Sequence, residues 1–443
     1  MRDQEPSPGL PEQRLTTKEA AELLGVKPET VYAYVSRGQL SSRRVPGGRG
    51  STFDAQEVES LARRNRRESG GGSASGGELS VRTRITLIKP NAYYFRGVDA
   101  TELATHHTYE EVAEWLWTGH LRPGITFTAP EDSVTATRRA VDALPEHTGP
   151  TDRLRVAAIA AAVADPLRFD LSEDAVLGTA RTLIPTLVAA LPPTSRRRRH
   201  DDEGPLARRL WTCLSGKDAD DASLRVMDTA LALLVDHDLA ASTLAVRVAA
   251  SARAHAYAAV SAGLGVLEGP LHGAASGLAH RLLLDVLDEG DAGPVIAEEL
   301  RAGRRIPGLG HRLYPGEDPR ARVLFGLLER IPHAAPALAA ARDIVATTAR
   351  HTPLHANVDL ALAVFTASSG MPSTAGETIF AVARTAGWIA HALEEYGERP
   401  LRMRLSGHYV GPRPPQPLPR PMPRPLPAQD TTAAETPRRA KSG

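Results

Sequence analysis

The sequence contains 443 residues, with 53 Lys and Arg against 52 Asp and Glu, and one cysteine, Cys213. The balanced charge implies no polyanion partner for the chain as a whole, and a single cysteine excludes an intramolecular disulfide and a cysteine-based zinc site. The first residues lack the apolar core of a signal peptide, and no apolar run reaches the roughly 18 residues of a membrane span. We therefore expect a cytoplasmic protein of two or three domains with no membrane partner.

The first patterned segment begins after residues 1–13, which are polar, contain proline and are expected to be disordered. Thr16, followed three residues later by Glu19, predicts a capped helix that ends at Gly25. Pro28 suits the first turn of a second short helix. Two short helices around a Gly-containing turn are typical of a helix-turn-helix.

The stretch after the second helix is strongly basic. Residues 40–53 are interpreted as a hairpin or wing and residues 54–67 as a third helix, and between residues 37 and 67 eight Arg stand against three acids. Such a patch suits phosphate contacts to DNA. The segment resembles the winged helix-turn-helix of excisionases and MerR-type regulators, which implies a DNA-binding domain over residues 14–67; the alternative is a basic helical adaptor that binds protein. The predicted DNA contacts are Tyr32, Arg37, Arg43, Arg44 and Arg49.

Two low-complexity segments limit the remaining chain. Residues 68–78 are rich in Gly and Ser and predict a flexible linker at the clearest domain boundary. Residues 412–443 contain ten prolines, many of them alternating, which excludes a helix or a central strand. We therefore expect a body over residues 79–412 and an extended, disordered tail over residues 413–443.

The body is predicted to be mainly α-helical, because strand-like alternation is scarce. Residues 81–88 are the exception and are interpreted as a strand or hairpin. Helical patterns occur at residues 108–119, 131–143, 152–163 and, as one long stretch that contains His237, 223–264.

Three polar islands interrupt this Ala- and Leu-rich background, at residues 268–273, 308–314 with 318–320, and 357–359. They place two histidines, His272 and His311, and one carboxylate, Asp359, on turns marked by Gly, Pro or Asn. Turns with reactive side chains between helices are where a scaffold commonly carries its chemistry. The alternatives are that the histidines stabilise their turns and that Asp359 caps the following helix.

The three islands, in this order, resemble the citrate synthase family. Further collinear blocks that match the family lie at residues 94–99, 108–119, 237–243, 387–391 and 409–412. The resemblance spans about residues 79–412. It implies an all-α fold with a large helical domain, a small domain over about residues 265–365 that closes over the substrates, and a homodimer.

The resemblance also implies roles for the residues on the islands. Removing a proton from the methyl group of a thioester requires a base paired with a donor at the developing enol oxygen. Asp359 would be the base, and a neutral His272 would donate to the thioester oxygen. His311 would polarise the keto carbonyl of the second substrate and protonate the new alkoxide.

Substrate contacts follow from the same resemblance. Guanidinium groups suit dicarboxylates because their geometry matches a carboxylate, so Arg320 and Arg404 are candidates, with His237 as a further contact. Taken alone, these would be surface cations and a core histidine on an apolar helix. CoA would lie against Gly308, Leu309 and Gly310, where glycines allow close backbone approach.

These expectations amount to a metal-free acyltransferase of the tricarboxylic acid cycle that condenses acetyl-CoA with oxaloacetate to citrate and CoA. No cofactor is expected to be bound permanently, since CoA enters with the substrate. One alternative is a 2-methylcitrate synthase that uses propionyl-CoA, because one methylene is weakly discriminated. The other is a transcriptional regulator whose body only senses CoA esters or keto acids.

Overall fold

The computed structural model describes residues 14–24, 26–36, 39–44, 51–55, 57–58, 61, 81–194, 204–269, 272–273, 275–404 and 409–412. The chain divides into two compact units, one of residues 78–404 and the other of residues 1–77 with 405–443. The predicted disordered start, the linker at 68–78, most of the third helix at 54–67 and the whole tail at 413–443 lie outside the described residues. The predicted small domain at 265–365 lies within the larger unit and stays a prediction.

The N-terminal unit is a winged helix-turn-helix. Its elements are β1 (Arg14–Thr16), α1 (Thr17–Leu24), α2 (Pro28–Ser36), β2 (Ser42–Arg44) and β3 (Ser51–Asp54). The strands form an antiparallel sheet in the order β1-β3-β2, so the predicted wing is the β2–β3 hairpin. The apolar core of this unit consists of Ala20, Ala21, Val31, Leu40, Phe53, Val58 and Leu61.

The first helix begins where the capping pattern predicts. The Thr16 backbone N–H donates to a Glu19 carboxylate oxygen at 2.8 Å, and the Glu19 N–H donates to the Thr16 hydroxyl at 3.4 Å. This reciprocal pair satisfies two N–H groups at the start of α1. Thr16 itself lies at the end of β1, so the chain changes directly from strand to helix.

The larger unit opens with a small antiparallel sheet and continues as helices. The strands are β4 (Thr86–Lys89), β5 (Ala92–Phe95) and β6 (Val98–Asp99). The helices in the described residues of this unit are α3 (Ala100–His106), α4 (Tyr109–Thr118), α5 (Glu131–Asp142), α6 (Pro150–Ala164), α7 (Glu173–Ala190), α8 (Leu206–Leu214), α9 (Asp221–Leu234), α10 (Ala241–Ser251), α11 (Ala256–Leu267), α12 (Ala275–Glu289), α13 (Ala292–Arg301), α14 (Pro319–Leu328), α15 (Ala335–Ala349), α16 (Val358–Ser368) and α17 (Ala375–Tyr396). The mainly α prediction is therefore confirmed. Within the described ranges, no helix combines the length and the apolar character needed to cross a bilayer.

The prediction of one long helical stretch over residues 223–264 is wrong. The chain breaks after α9, where Asp238 adopts a left-handed backbone conformation with φ 58°, and again before α11, where Arg253 has φ 62°. At the first break the buried Asp236 carboxylate accepts hydrogen bonds from the Thr86 hydroxyl and the Asp238 N–H. These local and long-range bonds replace the helical ladder, so His237 lies on a connection and not on an apolar helix.

Helix α17 runs through the core of the larger unit. It is buried along most of its length and packs against α7, α9, α10 and α11. Gly387 allows α17 to approach the break after α9, because a Cβ at this position would overlap the carbonyl oxygen of Val235 and crowd the Asp236 carboxylate. This close approach brings one face of α17 to the segment that carries His237.

Candidate active site

The second and third polar islands are joined by backbone and side-chain hydrogen bonds. Leu309 and Ala356 form an isolated antiparallel bridge. The Asn357 N–H donates to the Gly308 carbonyl oxygen at 2.9 Å, and its side-chain amide donates to the Gly310 carbonyl oxygen at 2.9 Å. One asparagine therefore fixes the glycine turn against the start of α16.

Asp359 lies in the first turn of α16 but does not cap it. The Asn357 side-chain oxygen is the cap and accepts from the N–H groups of Asp359 at 2.9 Å and Leu360 at 3.4 Å. In the described part of the chain, no hydrogen bond or ion pair reaches the Asp359 carboxylate. Burial raises the pKa of this carboxyl from 3.8 to about 6, against the lowering effect of the Arg320 guanidinium. The Asp359 carboxylate therefore has unused acceptor capacity and a raised pKa.

His311 follows the glycine turn and has a defined tautomer. The Leu313 N–H donates to His311 Nδ1 at 3.1 Å, so the neutral ring carries its proton on Nε2. Burial, followed by the positive charge of Arg320, lowers the pKa of His311 from 6.5 to about 4. At neutral pH the ring is therefore uncharged and offers one N–H donor.

Arg320 is a buried cation, so its interpretation as an ordinary surface residue is wrong. Its Nε and Nη2 donate to the two oxygens of Asp318 at 3.0 and 2.8 Å. Asp318 also accepts from the Val358 N–H at 3.1 Å, which ties the start of α14 to the start of α16. Burial disfavours the charged guanidinium, but the Asp318 carboxylate outweighs it and raises the pKa of Arg320. A permanent positive charge is fixed beside Asp359 and His311.

His237 joins this group from the break between α9 and α10. Its Nε2 lies 2.9 Å from the Tyr314 hydroxyl, and its ring centroid lies 5.3 Å from that of His311. Burial, and then the charges of Arg320 and Arg384, lower the pKa of His237 well below 6.5. His237 is therefore a second neutral imidazole next to His311.

The glycines of the second island have a structural cause. Gly308 and Gly310 have φ of +81° and +73°, a region that favours glycine. A Cβ on Gly308 would lie 2.8 Å from the Cβ of Leu360 and 3.2 Å from that of Ala279. Backbone conformation and helix packing thus account for Gly308, and a contact of Gly308, Leu309 and Gly310 with CoA stays a prediction.

His272 lies on the turn between α11 and α12. Its Nε2 is 2.8 Å from the Ser242 hydroxyl, and its ring forms a T-shaped pair with Phe380 on α17, with ring centroids 6.5 Å apart. Burial, and then the charge of Arg384, lower the pKa of His272, so it is neutral at pH 7. Among the described residues, no hydrogen bond, ion pair or ring contact joins His272 to His311 or Asp359.

Arg384 connects the two parts of the site and was missed by the sequence analysis. It is buried on α17, its Nε donates to the Leu234 carbonyl oxygen at 2.9 Å, and its buried Nη2 has no hydrogen-bond partner in the described chain. Its guanidinium carbon lies 4.5 Å from the centre of the Phe380 ring. Burial lowers its pKa from 12.5 to about 10, so it remains charged at pH 7. An arginine inside an Ala-rich helix, three residues before the block at 387–391, was the available signal.

A buried chain of polar side chains supports this region from behind. Asp236 Oδ1 lies 3.2 Å from His391 Nε2, and His391 Nδ1 lies 3.0 Å from Arg247 Nη1. Arg247 in turn pairs with Glu394 at 2.8 Å and Glu395 at 3.3 Å. Because Asp236 directly precedes His237, this chain fixes the connection on which His237 lies.

Arg404 is not part of the cluster. It is exposed after α17, and its backbone N–H donates to the Leu401 carbonyl oxygen at 3.1 Å. In the described part of the chain, no side-chain hydrogen bond or ion pair of Arg404 connects it to the other predicted site residues. Its role as a substrate contact stays a prediction.

The predicted DNA contacts are described only in part. Tyr32 is exposed on α2 with its hydroxyl 3.2 Å from the Thr17 hydroxyl, and Arg43 is exposed on β2. Arg44 is on the same strand, but only its backbone is described. Arg37 and Arg49 lie outside the described residues.

The cluster has a clear chemical character. It combines three neutral imidazoles with two buried guanidinium groups, and its remaining carboxylate, Asp359, titrates near neutral pH. No group of three or more His, Cys, Asp and Glu side chains in the described ranges is arranged to hold a metal ion. Such a set suits proton transfer on an anionic, carbonyl-bearing substrate. The larger unit is therefore a mainly α-helical domain in which neutral imidazoles, buried guanidinium groups and a carboxylate of raised pKa occur together.

Comparison with known proteins identifies the family. The sequence profile of the citrate synthase C-terminal domain matches residues 75–404, and a helix-turn-helix domain profile matches residues 14–66. The chain belongs to the citrate synthase family and carries an N-terminal helix-turn-helix domain.

Individual relatives support this assignment. The citrate synthase of Haloferax volcanii is 31% identical over 359 residues, which are 76% of this chain and 94% of the relative. The 2-methylcitrate synthase of Shewanella oneidensis is 27% identical, over 77% of this chain and 94% of the relative. The Pyrobaculum aerophilum citrate synthase structure has a TM-score of 0.63 at 25% identity, covering 77% of this chain and 92% of that one.

A further solved structure shares the fold. The Thermoplasma acidophilum citrate synthase, solved as a ternary complex with carboxymethyl coenzyme A and oxaloacetate, has a TM-score of 0.63 at 22% identity and covers 77% of this chain and 97% of that one. The chain is a citrate synthase-family transferase with the family fold.

Proposed function

We propose that the larger unit condenses acetyl-CoA with oxaloacetate and releases citrate and CoA. The observation that carries this proposal is the Asp359 carboxylate, which lacks a partner in the described chain and whose pKa burial raises to about 6. A sensor domain needs to bind its ligand but does not need a base held in this state. The ternary complex of the Thermoplasma acidophilum relative with a CoA analogue and oxaloacetate supports the choice of substrates.

In the first step, Asp359 takes a proton from the methyl carbon of acetyl-CoA. With a pKa of about 6, the carboxyl is mostly ionised at pH 7 and is a stronger base than an exposed aspartate. His272 stabilises the enol oxygen by donating from Nδ1, which requires the Ser242 hydroxyl to donate to Nε2. Neutral imidazole suits this role because it adds a donor without a full charge.

In the second step, the enol carbon attacks the keto carbon of oxaloacetate. The Nε2–H of His311 points its proton at the keto oxygen and transfers it as that oxygen becomes an alkoxide. The product is citryl-CoA. Water then adds to its thioester carbonyl, the C–S bond breaks, and CoA leaves as the thiol with citrate as the other product.

The carboxylates of oxaloacetate are held by Arg320 and Arg384, with His237 as a neutral donor. Arg320 keeps Nη1 free of Asp318, which uses Nε and Nη2. Arg384 contributes the Nη2 that has no partner in the described chain. Arg404 remains a proposed further contact, and Gly308, Leu309 and Gly310 the proposed CoA surface.

The acyl donor is a second question. Citrate synthases and a 2-methylcitrate synthase are both among the relatives, at 31% and 27% identity. One methylene in an apolar pocket contributes only about 1–3 kcal/mol of discrimination. Propionyl-CoA is therefore the alternative donor, and a comparison of kcat/KM for the two thioesters decides between them.

A thiol-release assay tests the enzymatic proposal. Folded wild type should release CoA from acetyl-CoA or propionyl-CoA only when oxaloacetate is present, and Asp359→Asn should lower the rate by a factor of about 1,000 or more, as expected for loss of a base. The matched control is Asp288→Asn, which changes an exposed aspartate on α12. No release from either donor by folded wild type would reject the enzyme and leave a ligand sensor.

We also propose that the N-terminal unit binds DNA. The basic strand β2 pairs with β3 in the wing, and Arg43 is exposed on β2 while Tyr32 is exposed on α2. In a gel shift with genomic fragments, Arg43→Ala/Arg44→Ala should weaken binding, and binding should fall steeply with salt. Absence of binding by wild type would favour a protein-binding adaptor, and unchanged binding by the variant would count against these contacts.

Exposed apolar side chains at the end of α6 and in the turn after it support the proposed homodimer. Ile159 and Val163 are exposed near the end of α6, and Leu167 and Phe169 are exposed in the turn that follows. Exposed apolar patches often mark contacts between proteins, so a second copy of this chain is the proposed partner. Val163→Glu should shift the mass measured by light scattering from dimer to monomer, whereas wild type that is monomeric at micromolar concentration would reject the dimer.

We propose the cytoplasm as the location of the protein. A lone cysteine, Cys213, fits a reducing compartment.

A further inference from the structure

Tyr314 lies between the two imidazoles of the proposed keto-acid site. It is 1% exposed, its hydroxyl is 2.9 Å from His237 Nε2, and its ring stacks on His311 with centroids 4.8 Å apart and an interplanar angle of 29°. The Arg320 guanidinium carbon lies 5.7 Å from the Tyr314 ring centre. No role for Tyr314 follows from the condensation chemistry itself.

The hydrogen bond to Tyr314 bears on which nitrogen of His237 carries the proton. Neutral histidine has one N–H and one acceptor nitrogen, and the partner of one nitrogen determines the state of the other. In the described chain, His237 Nδ1 has no hydrogen-bond partner. It is not among the fully buried polar atoms that lack a partner, so it is open to a ligand. A carboxylate or keto oxygen only accepts, so it binds Nδ1 only if that nitrogen carries the proton.

The hydroxyl of Tyr314 can keep the proton of His237 on Nδ1. Within the described chain the hydroxyl has no hydrogen-bond partner other than His237 Nε2. Burial raises the pKa of Tyr314, so the phenol keeps its proton and is able to donate. When the phenol donates to Nε2, the proton of His237 must be on Nδ1.

We propose that Tyr314 is a positioning residue that donates to His237 Nε2 and thereby holds His237 as the Nδ1–H tautomer, which presents a donor to the keto acid. The inference rests on the proposed function for the identity of the ligand but not for the tautomer itself. The tautomers of the two neighbouring imidazoles, His311 and His237, are then fixed by different hydrogen bonds. His311 receives a backbone N–H from Leu313 on Nδ1 and exposes Nε2–H, whereas His237 receives a side-chain O–H on Nε2 and exposes Nδ1–H.

The tautomer can be measured without turnover. In long-range ¹H–¹⁵N spectra of wild type labelled at histidine, with His237→Asn used for assignment, His237 should show Nδ1 as the protonated nitrogen. Tyr314→Phe keeps the ring against His311 and removes only the hydroxyl, so it should convert His237 to a mixture or to Nε2–H. Protonation on Nε2 in wild type, or an unchanged tautomer in Tyr314→Phe, would overturn the inference. The wild-type spectrum alone can do so if the variant does not fold.

Kinetics provide the second measurement. Tyr314→Phe should raise KM for oxaloacetate by about tenfold, the effect of one hydrogen bond to a charged group, with a smaller change in kcat. The control Tyr94→Phe, on β5 and without a hydrogen bond from its hydroxyl in the described chain, should leave KM unchanged.

A double substitution separates positioning from a direct role. In His237→Asn the side-chain amide N–H takes the place of the Nδ1–H group. An amide N–H is always a donor, so it needs no hydrogen-bond partner to make it one. Adding Tyr314→Phe to this variant should change KM by less than about twofold, because the residue acts through His237. A tenfold further loss would mean that Tyr314 contacts the substrate and would overturn the positioning role. Failure of wild type to condense the substrates would remove the proposed function but leave the tautomer result intact.

Discussion

Asp359→Asn should increase the stability of the protein while abolishing its activity. The carboxylate has no hydrogen-bond or ion-pair partner in the described chain, so an amide of the same shape loses no bond to the protein. Its pKa rises from 3.8 to about 6 on folding. At about 1.4 kcal/mol for each factor of ten in the protonation equilibrium, the charged form costs the folded state up to about 3 kcal/mol at pH 7.

The pH dependence of this effect has a definite sign. A carboxyl whose pKa is raised by folding binds its proton more tightly in the folded state, so the cost of ionisation appears as the pH rises above 3.8 and is complete above about 6. The difference in unfolding free energy between Asp359→Asn and wild type should therefore be largest at pH 7 to 8 and should shrink as the pH is lowered to 4.

Guanidinium chloride unfolding of full-length protein at pH 4, 5, 6, 7 and 8 measures the difference. The midpoint of Asp359→Asn should exceed that of wild type at pH 7 with an unchanged slope, and Asp288→Asn should match wild type at every pH. A midpoint that falls in Asp359→Asn at pH 7, or a gain that is independent of pH, would show that the carboxylate has a stabilising partner and is not the unpaired carboxylate that we describe.

Three further predictions follow from the same groups. First, kcat for thiol release should fall tenfold for each pH unit below about pH 6, because Asp359 must be ionised to act as the base. A kcat that does not change between pH 5 and pH 7 would contradict this role. Second, Arg384→Gln should raise KM for oxaloacetate by about 10- to 100-fold, because it removes a buried cation whose Nη2 has no partner in the described chain; an unchanged KM would separate Arg384 from the substrate. Third, Gly387→Ala should lower the free energy of unfolding by about 1–3 kcal/mol, since the added methyl group would overlap the Val235 carbonyl oxygen. The control is Gly178→Ala on α7, where the added methyl group has open space. A Gly387→Ala variant as stable as wild type would contradict the close approach.

Much of the local structure could be predicted because its causes are local. Thr16 and Glu19 mark the start of α1 in the sequence. Thr108 and Glu111 form a complete capping box at the start of α4, and that helix ends at Gly119, which has a left-handed backbone conformation. The polar islands were visible for the same reason, since Gly and Asn mark turns in an apolar background.

The breaks around His237 could not be predicted because their causes are distant in sequence. Asp236 accepts a hydrogen bond from Thr86, which precedes it by 150 residues, and lies 3.2 Å from His391 on α17. Small apolar residues on both sides continue the helical pattern, so periodicity gives no sign of the interruption. Arg384 was missed for a related reason, because only the folded chain shows that this arginine is buried beside Phe380.

The central claim is that this site joins the two carbon skeletons. The most direct measurement is product analysis by mass spectrometry, with ¹³C-labelled acetyl-CoA and unlabelled oxaloacetate, in parallel with thiol release. The account predicts one citrate carrying the label for every CoA released by wild type, and neither product from Asp359→Asn. Release of CoA together with free labelled acetate, and without citrate, would show a thioester hydrolase and contradict the account.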